Sequence, residues 1–477
     1  MKTKFINFLK FWIILQLLFI FFMPMLKVYT LHSHYWDFGV FDHFLYIFAK
    51  ENNFYWFLKN HFRPILFLYG LGYKILPSPY LLLFLQSLAV AVSGYFVYLL
   101  TIQQLGSKLW ALFLVWCFFL HPMVLYQAFW DFHTDHLLLP VLLAGFYFSL
   151  QKKSNTIILF AIIAILWTIK ESAVLIALFF SLYLLFSKRY KVAIFGALAS
   201  IVVWYLVTHF IGPDFYRYSN TLLEKWPQTQ ASPFPSFYRQ WGDSYTQMVL
   251  FILSHPLKVF TSIFTNIYKD IFIFVAFAPF LIISLFAPSL LIVATPGFAM
   301  TLLSAQPEKV MIYHHYHAAI LPVTFAAGIV GLKQILKRLA NQEKIIMAFL
   351  FFLTLIVSWA YAPTPNGRYF YWTKINDYGY DRYIPTARTY AIKEAIHREI
   401  PARYDMSVAF PNGFYYSYLG HKRVVYILPR GIDKADFIII DLHRIDRKKR
   451  NYYLNLIQKL KNERKLLTEF QDFYIFK

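Results

Sequence analysis

Residues 8–26 read FLKFWIILQLLFIFFMPML, an apolar run broken only by Lys10, Gln16 and Pro24. Nineteen residues of helix reach across the ~30 Å hydrocarbon core of a bilayer. The run is long for the apolar core of a cleaved leader, and no small-residue cleavage site follows it. It therefore reads as an anchored first helix. Composition agrees. Of 477 residues, 59% are apolar and only 15% are charged, where soluble chains carry about 25% charge. So little charge cannot cover a water-facing surface, and so much apolar residue excludes a disordered chain.

Ten more apolar runs follow, at about 80–104, 108–128, 136–150, 155–171, 172–187, 191–212, 271–287, 289–304, 316–332 and 345–361. The expectation is a mainly α, polytopic transmembrane bundle of about eleven spans over residues 1–361. Two polar stretches interrupt it, 27–79 and 212–269. Within the first, Arg63–Leu76 is apolar but short and broken by glycine, which suits a re-entrant or interfacial segment.

The net charge is +22, from 46 Lys+Arg against 24 Asp+Glu. No basic patch falls in a nucleic-acid motif, so nucleic acid is not the expected partner. With a cytoplasmic N-terminus, the short cytoplasmic turns would hold thirteen basic residues and one acid, Glu343, as the positive-inside rule requires. Eleven of the twelve acids before Ala362 then fall on the opposite face. Eleven spans place the C-terminus outside. Cys117 is the sole cysteine, so an internal disulfide or cysteine metal cluster is excluded.

The tail 362–477 has ordinary soluble charge, 21 basic and 12 acidic residues. Thr386–Glu399 and Asn451–Arg464 have helical apolar spacing. Ser407–Phe410, Val424–Leu428 and Phe437–Asp441 read as strands. A small extracytoplasmic α/β domain is expected. Asp441, at the end of a buried strand, reads first as a cap for the next element.

Four clusters carry chemistry. Asp37 and Asp42, in Trp36–His43, stand just beyond the first span, with Gly39 permitting a tight turn between them. A carboxylate there can serve as general base; the plainer reading is an N-cap and a surface acid. Asp131, His133 and Asp135, in Phe129–His136, share one face of an extended chain. Those oxygen and imidazole donors suit Mg²⁺ or Mn²⁺, or Zn²⁺ with fewer carboxylates; the plainer reading is interfacial polarity. Lys170-Glu171 is either a self-compensating pair or a phosphate contact. Tyr313–His317 brings His314, His315 and His317 to the mouth of a span. His61 and Arg63 lie on the same expected face and are further candidate substrate contacts. There is no P-loop, G-x-G-x-x-G or G-x-S-x-G, so ATPase, Rossmann and α/β-hydrolase readings have no support.

The ordered set is specific: Asp-Phe-Gly-Val-Phe-Asp (37–42), His-Phe-Arg-Pro-Ile-Leu (61–66), Leu-Pro-Ser-Pro-Tyr-Leu-Leu-Leu-Phe-Leu-Gln-Ser (76–87), Trp-Asp-Phe-His-Thr-Asp (130–135), Lys-Glu-Ser (170–172) and His-His-Tyr-His-Ala (314–318). It resembles the polytopic membrane family catalogued as domain of unknown function 2079, over about residues 30–335 and more loosely in the tail. That family is similar in layout to the GT-C glycosyltransferases, including the protein mannosyltransferase and aminoarabinose transferase branches. The resemblance implies an integral membrane enzyme that moves a sugar from a polyprenyl-phosphate donor to an acceptor at the non-cytoplasmic face, with Asp37 as base and Asp42 as its alternative. Membrane lipid is the implied surrounding and the acceptor is unspecified. A transporter or lipid flippase, and a non-catalytic assembly factor, are the competing classes.

Overall fold

The computed structural model describes residues 2–33, 38–52, 57–58, 61–153, 155–211, 236–372, 378–403, 405–411, 419, 421–429 and 431–477. Asp37 lies outside the described residues.

The first apolar run is helix α1 (Lys2–Tyr29). Its exposed residues Phe11, Ile14, Leu18 and Phe22 recur at helical spacing, while Leu9, Ile20 and Met23 are buried. Such a stripe is unfavourable in water and natural in lipid. A short pair follows, α2 (Val40–Glu51) and α3 (Leu66–Ile75), which pack together. Next come α4 (Pro79–Leu105), α5 (Lys108–Leu120), α6 (Pro122–Phe129), α7 (Leu138–Ser149), α8 (Thr156–Ile169), α9 (Glu171–Phe186) and α10 (Tyr190–Leu206). Gly106, at φ 66°, ends α4 in the left-handed region, and the Ser107 hydroxyl caps α5 by accepting from the Trp110 amide. Helix α4 packs on α5 and α7, and α9 on α8 and α10.

Residues 212–269 are not polar loop throughout. Past residue 235 they form α11 (Tyr245–Ser254) and α12 (Pro256–Phe264), with Val249, Leu250, Leu253, Leu257 and Phe260 exposed. Polar residues gather before Tyr245 and apolar ones after it, so the average over the stretch hid two helices. Then follow α13 (Ile267–Phe277), α14 (Thr295–Leu302), α15 (Leu321–Arg338) and α16 (Glu343–Tyr361).

Among the described residues, four helical stretches can cross a membrane by length and composition: Thr3–Tyr29, Pro79–Leu105, Tyr190–Ile211 and Glu343–Tyr361. Two bent pairs could each make a broken span, α5 with α6 at 58° and Phe237–Ser254 with α12 at 91°. Thr156–Ile169, Glu171–Phe186 and Pro288–Leu302 are shorter apolar helices. The count of about eleven is therefore not reproduced by helix length. The runs at 271–287 and 289–304 are divided by Pro279, Pro288 and Pro296 into short α and 3-10 turns, since proline lacks the amide that continues a helix.

Among its described residues the tail carries five strands, β1 (Ser407–Phe410), β2 (Val424–Ile427), β3 (Phe437–Asp441), β4 (Leu466–Phe470) and β5 (Phe473–Phe476), in the order β2-β1-β3-β5-β4. β1 is parallel to β2 and β3; β5 is antiparallel to β3 and β4. Residues alternate between the two faces, as the strand period requires. Val408, Phe410, Phe437 and Ile439 meet α17 (Ala387–Glu399), and Ala409, Ile438 and Ile440 meet α18 (Arg450–Glu463). The α17 face also buries Leu31, Val40 and Phe44, so the sheet is docked on the end of α1 and on α2. The Thr30 hydroxyl donates to the Arg382 carbonyl (2.5 Å) and Arg444 Nη1 to the Leu31 carbonyl (3.1 Å) across that junction.

Candidate functional site

Helix α6 ends at Trp130, and a bend at Trp130–Asp131 leads into extended backbone at His133 and a 3-10 turn, Thr134–Leu137. Gln86 of α4 secures this corner. Its Nε2 donates to the Ala128 and Trp130 carbonyls (3.0 and 2.9 Å), and its Oε1 accepts from the His133 amide (3.2 Å).

The bend undoes the expected alternation. Asp131 turns to Lys27 at the end of α1, 3.3 Å away. Asp135 turns the other way and gathers a cluster. His133 Nδ1 lies 3.1 Å, Lys170 Nζ 3.3 Å and His315 Nε2 3.4 Å from Asp135 Oδ2. The His133 and His315 rings stack with centroids 3.9 Å apart. Arg63 Nη2 reaches His133 Nε2 at 3.1 Å and lies over the Phe41 ring. A guanidinium can only donate, so His133 Nε2 accepts and its Nδ1–H donates to Asp135. A relay results: Arg63 to His133 to Asp135.

The neighbouring pair is His61–Glu171, 2.5 Å apart, with the Phe62 amide on the second Glu171 oxygen (3.1 Å). Gln127 Nε2 donates to the His315 carbonyl (2.8 Å) and steadies that segment. Of the sequence candidates, His61, Arg63, His133, Asp135, Lys170, Glu171 and His315 thus converge from four separate loops.

The others sit elsewhere. Asp42 is fully buried, accepting from Tyr73 Oη (2.9 Å) and paired with His421 Nδ1 of the tail (3.0 Å). His317 Nε2 meets the Met123 carbonyl (2.6 Å) and is fully buried. The His314 ring lies against Trp130, tilted at 48° with centroids 4.5 Å apart.

Electrostatics single out Asp135. Burial pushes its carboxyl up, but His133, Lys170 and His315 outweigh burial and hold it well below the usual range. Its Oδ1 is buried with no hydrogen-bond partner among the described residues, and so is His315 Nδ1. Burial keeps His133 neutral, with its pKa lowered to about 3 against the pull of Asp135.

Sequence reading missed Lys309. It stands in the 3-10 turn Pro307–Val310, with its ammonium 3.7 Å from the Tyr316 ring centroid and 5.1 Å from that of Phe237. Burial, then the Lys170 charge, bring its pKa down to about 7, against Asp135, Glu171 and Glu308. Nothing in its local sequence marks it, because the neighbours that shift it come from distant loops. Gln86 was visible only as the end of the Leu-Phe-Leu-Gln-Ser motif.

His133, Asp135 and His315 offer ligand atoms within 4.8 Å of one another, so His315 takes the place expected of Asp131. A divalent cation nevertheless fits this arrangement poorly. Lys170 holds the same Asp135 oxygen, and Arg63 on Nε2 keeps the proton on the His133 nitrogen that would have to bind the ion. The cluster is better matched to an anion, which would find Lys170, Lys309 and Arg63 together.

Comparison with known proteins gives the family and the fold. No curated protein matches the chain in sequence. Among solved structures, ArnT from Cupriavidus metallidurans bound to undecaprenyl phosphate is similar with a TM-score of 0.50, at 12% identity over 97% of each chain. The apo state of that protein gives 0.49, also at 12% identity, over 98% of each chain. At that identity the likeness to the bound form is one of fold. Residues 27–464 match the family described as predicted membrane protein (DUF2079). The chain belongs to that family.

Proposed function

From that membership, we propose that the protein is a GT-C type glycosyltransferase, which moves a sugar from a polyprenyl-phosphate donor to an acceptor at the non-cytoplasmic membrane face. The observation that carries the reading is the convergence of Arg63, Lys170 and Lys309 around the His133–Asp135–His315 cluster. The ArnT-like fold supports it, since that neighbour was solved with undecaprenyl phosphate bound.

In the proposed step the anomeric C–O bond to phosphate breaks and a C–O bond to the acceptor forms from the opposite side. Negative charge collects on the departing polyprenyl phosphate. Lys170 and Lys309 offset that charge, and Arg63, held by His133 and Phe41, adds to the field. Asp135 keeps Lys170 in place; it carries no proton in the reaction. The acceptor proton goes to Asp37, the base implied by the family resemblance. Asp42 is buried and bonded to Tyr73 and His421, so we assign it to positioning α2 against the tail.

The test is transfer by purified full-length protein in nanodiscs, fed labelled polyprenyl-phosphate sugars with a membrane extract as acceptor source. Asp37→Asn should lower the rate by about 10²–10⁴, the usual contribution of a positioned base. Substrate moved across the bilayer with no glycosidic product would establish a transporter instead.

A further inference from the structure

A cavity of about 500 Å³ lies where the end of α1 meets the tail domain. Leu31 and His32 form one wall; Arg382, the first turn of α17 and the turn around Arg444 form the others. We propose that this cavity is an anion-binding site for a phosphate-bearing ligand. It does not depend on the transfer reaction.

Three arginines line it, Arg382, Arg388 and Arg444. Arg388 is fixed by both oxygens of Asp441 (2.8 and 3.0 Å) and by the Gln471 carbonyl (3.1 Å). Its Nε–H is still buried without a partner among the described residues. Arg444 donates to a neutral group, the Leu31 carbonyl. Asp381 and Asp446 line the cavity beside the three arginines, and Asp441 lies outside its lining. Asp446 is exposed and caps the Lys448 amide, Asp381 is 3.9 Å from Arg382, and Asp441 stands behind Arg388.

His32 reports the result. It is buried against the cavity, and burial first, then Arg444, Arg382 and Lys27, lower its pKa to about 2. Burial chiefly, with Arg444 and Arg382 adding to it, keeps a proton off this imidazole. The N-terminus of α17 adds a partial positive charge at the same wall, with Thr386 and Thr389 closing a capping box. Guanidinium forks match phosphate oxygens in shape as well as charge. The volume exceeds a bare phosphate and suits one with a group attached.

The experiment uses the full-length protein in nanodiscs, with thermal unfolding as readout. Inorganic phosphate and, separately, phosphatidic acid in the bilayer are titrated against wild type and against Arg382→Gln. Saturable stabilisation by either probe is expected, with the affinity weakened about tenfold in the variant. Free phosphate sufficing would assign a soluble ligand; stabilisation only by phosphatidic acid would assign a lipid headgroup. Arg382→Lys keeps the charge and should retain most of the binding, which separates lost affinity from lost folding. Absence of saturable stabilisation by both probes, or equal affinity in wild type and Arg382→Gln, overturns the proposal. Neither result would touch the transfer reading, whose groups lie in other loops.

Discussion

Two Lys–Asp pairs, both 3.3 Å apart, use acids only four residues apart in sequence, yet their surroundings differ. Lys27–Asp131 is closed: both side chains are at most 3% exposed, and the ammonium lies near the Tyr378 ring. Lys170–Asp135 is open. Lys170 is 12% exposed, two histidines share the same carboxylate oxygen, and the other oxygen has no partner among the described residues. A closed pair joins α1 to the corner after α6 and acts on stability. An open pair stores charge that a ligand can use.

Breaking the closed pair should have the largest effect. Lys27→Met takes the ammonium away from the buried Asp131, which costs about 3–5 kcal/mol, read as loss of stability in detergent unfolding. Adding Asp131→Leu should restore most of it. If Lys27→Met unfolds like wild type, the distinction between the pairs fails.

Breaking the open pair should act on rate. Lys170→Ala is expected to slow transfer by about 10²-fold, the scale of one lost charge-stabilising donor, with melting close to wild type. Equal losses of stability in the two variants would make both pairs structural.

The corner that separates the two acids depends on Gln86. Gln86→Leu strips partners from two carbonyls and the His133 amide, and should cost about 1–3 kcal/mol. It should also slow transfer, since Asp131 and Asp135 then lose their opposed directions. Paired measurements of unfolding and rate check both.

Lys309 sharpens the open site through pH. It faces Lys170 together with Asp135, Glu171 and Glu308, and its pKa is near 7 where 10.5 is ordinary. Donor affinity should therefore fall as pH rises through about 7 and the ammonium is lost. Stability should move oppositely, rising between about 7 and 10.5, because there the unfolded chain binds the proton that the folded chain has released. Lys309→Arg, charged throughout, should flatten the affinity profile. The smallest effect is expected from chelation. Because Lys170 pairs with Asp135 and the His133 nitrogen facing Asp135 carries the proton, EDTA should leave the transfer rate unchanged; a rate restored by Mg²⁺ or Mn²⁺ after EDTA would reverse that reading.

Legibility followed sequence separation. The helix 387–399 and the strands Ser407–Phe410 and Phe437–Asp441 were readable because period and turn residues are local signals. The hairpin of β4 and β5 was not: Gln471-Asp472 takes positive φ without the glycine that usually marks such a turn. Asp441 does cap the next turn, accepting from the His443 amide, yet its pairing with Arg388 joins residues 53 apart. The bundle's span count failed where prolines divide apolar runs that composition alone merges.

By itself the sequence determined the solvent, the helical class, the α/β tail and the short list of polar residues able to do chemistry. Those properties are sums over neighbours along the chain. Which acid pairs with which cation, that Asp42 is buried against Tyr73 and His421, that Lys309 joins the site and that an arginine-lined cavity opens beside α17 were decided only by tertiary structure. Charge and burial act through space, and the groups that tune these residues lie up to hundreds of positions away.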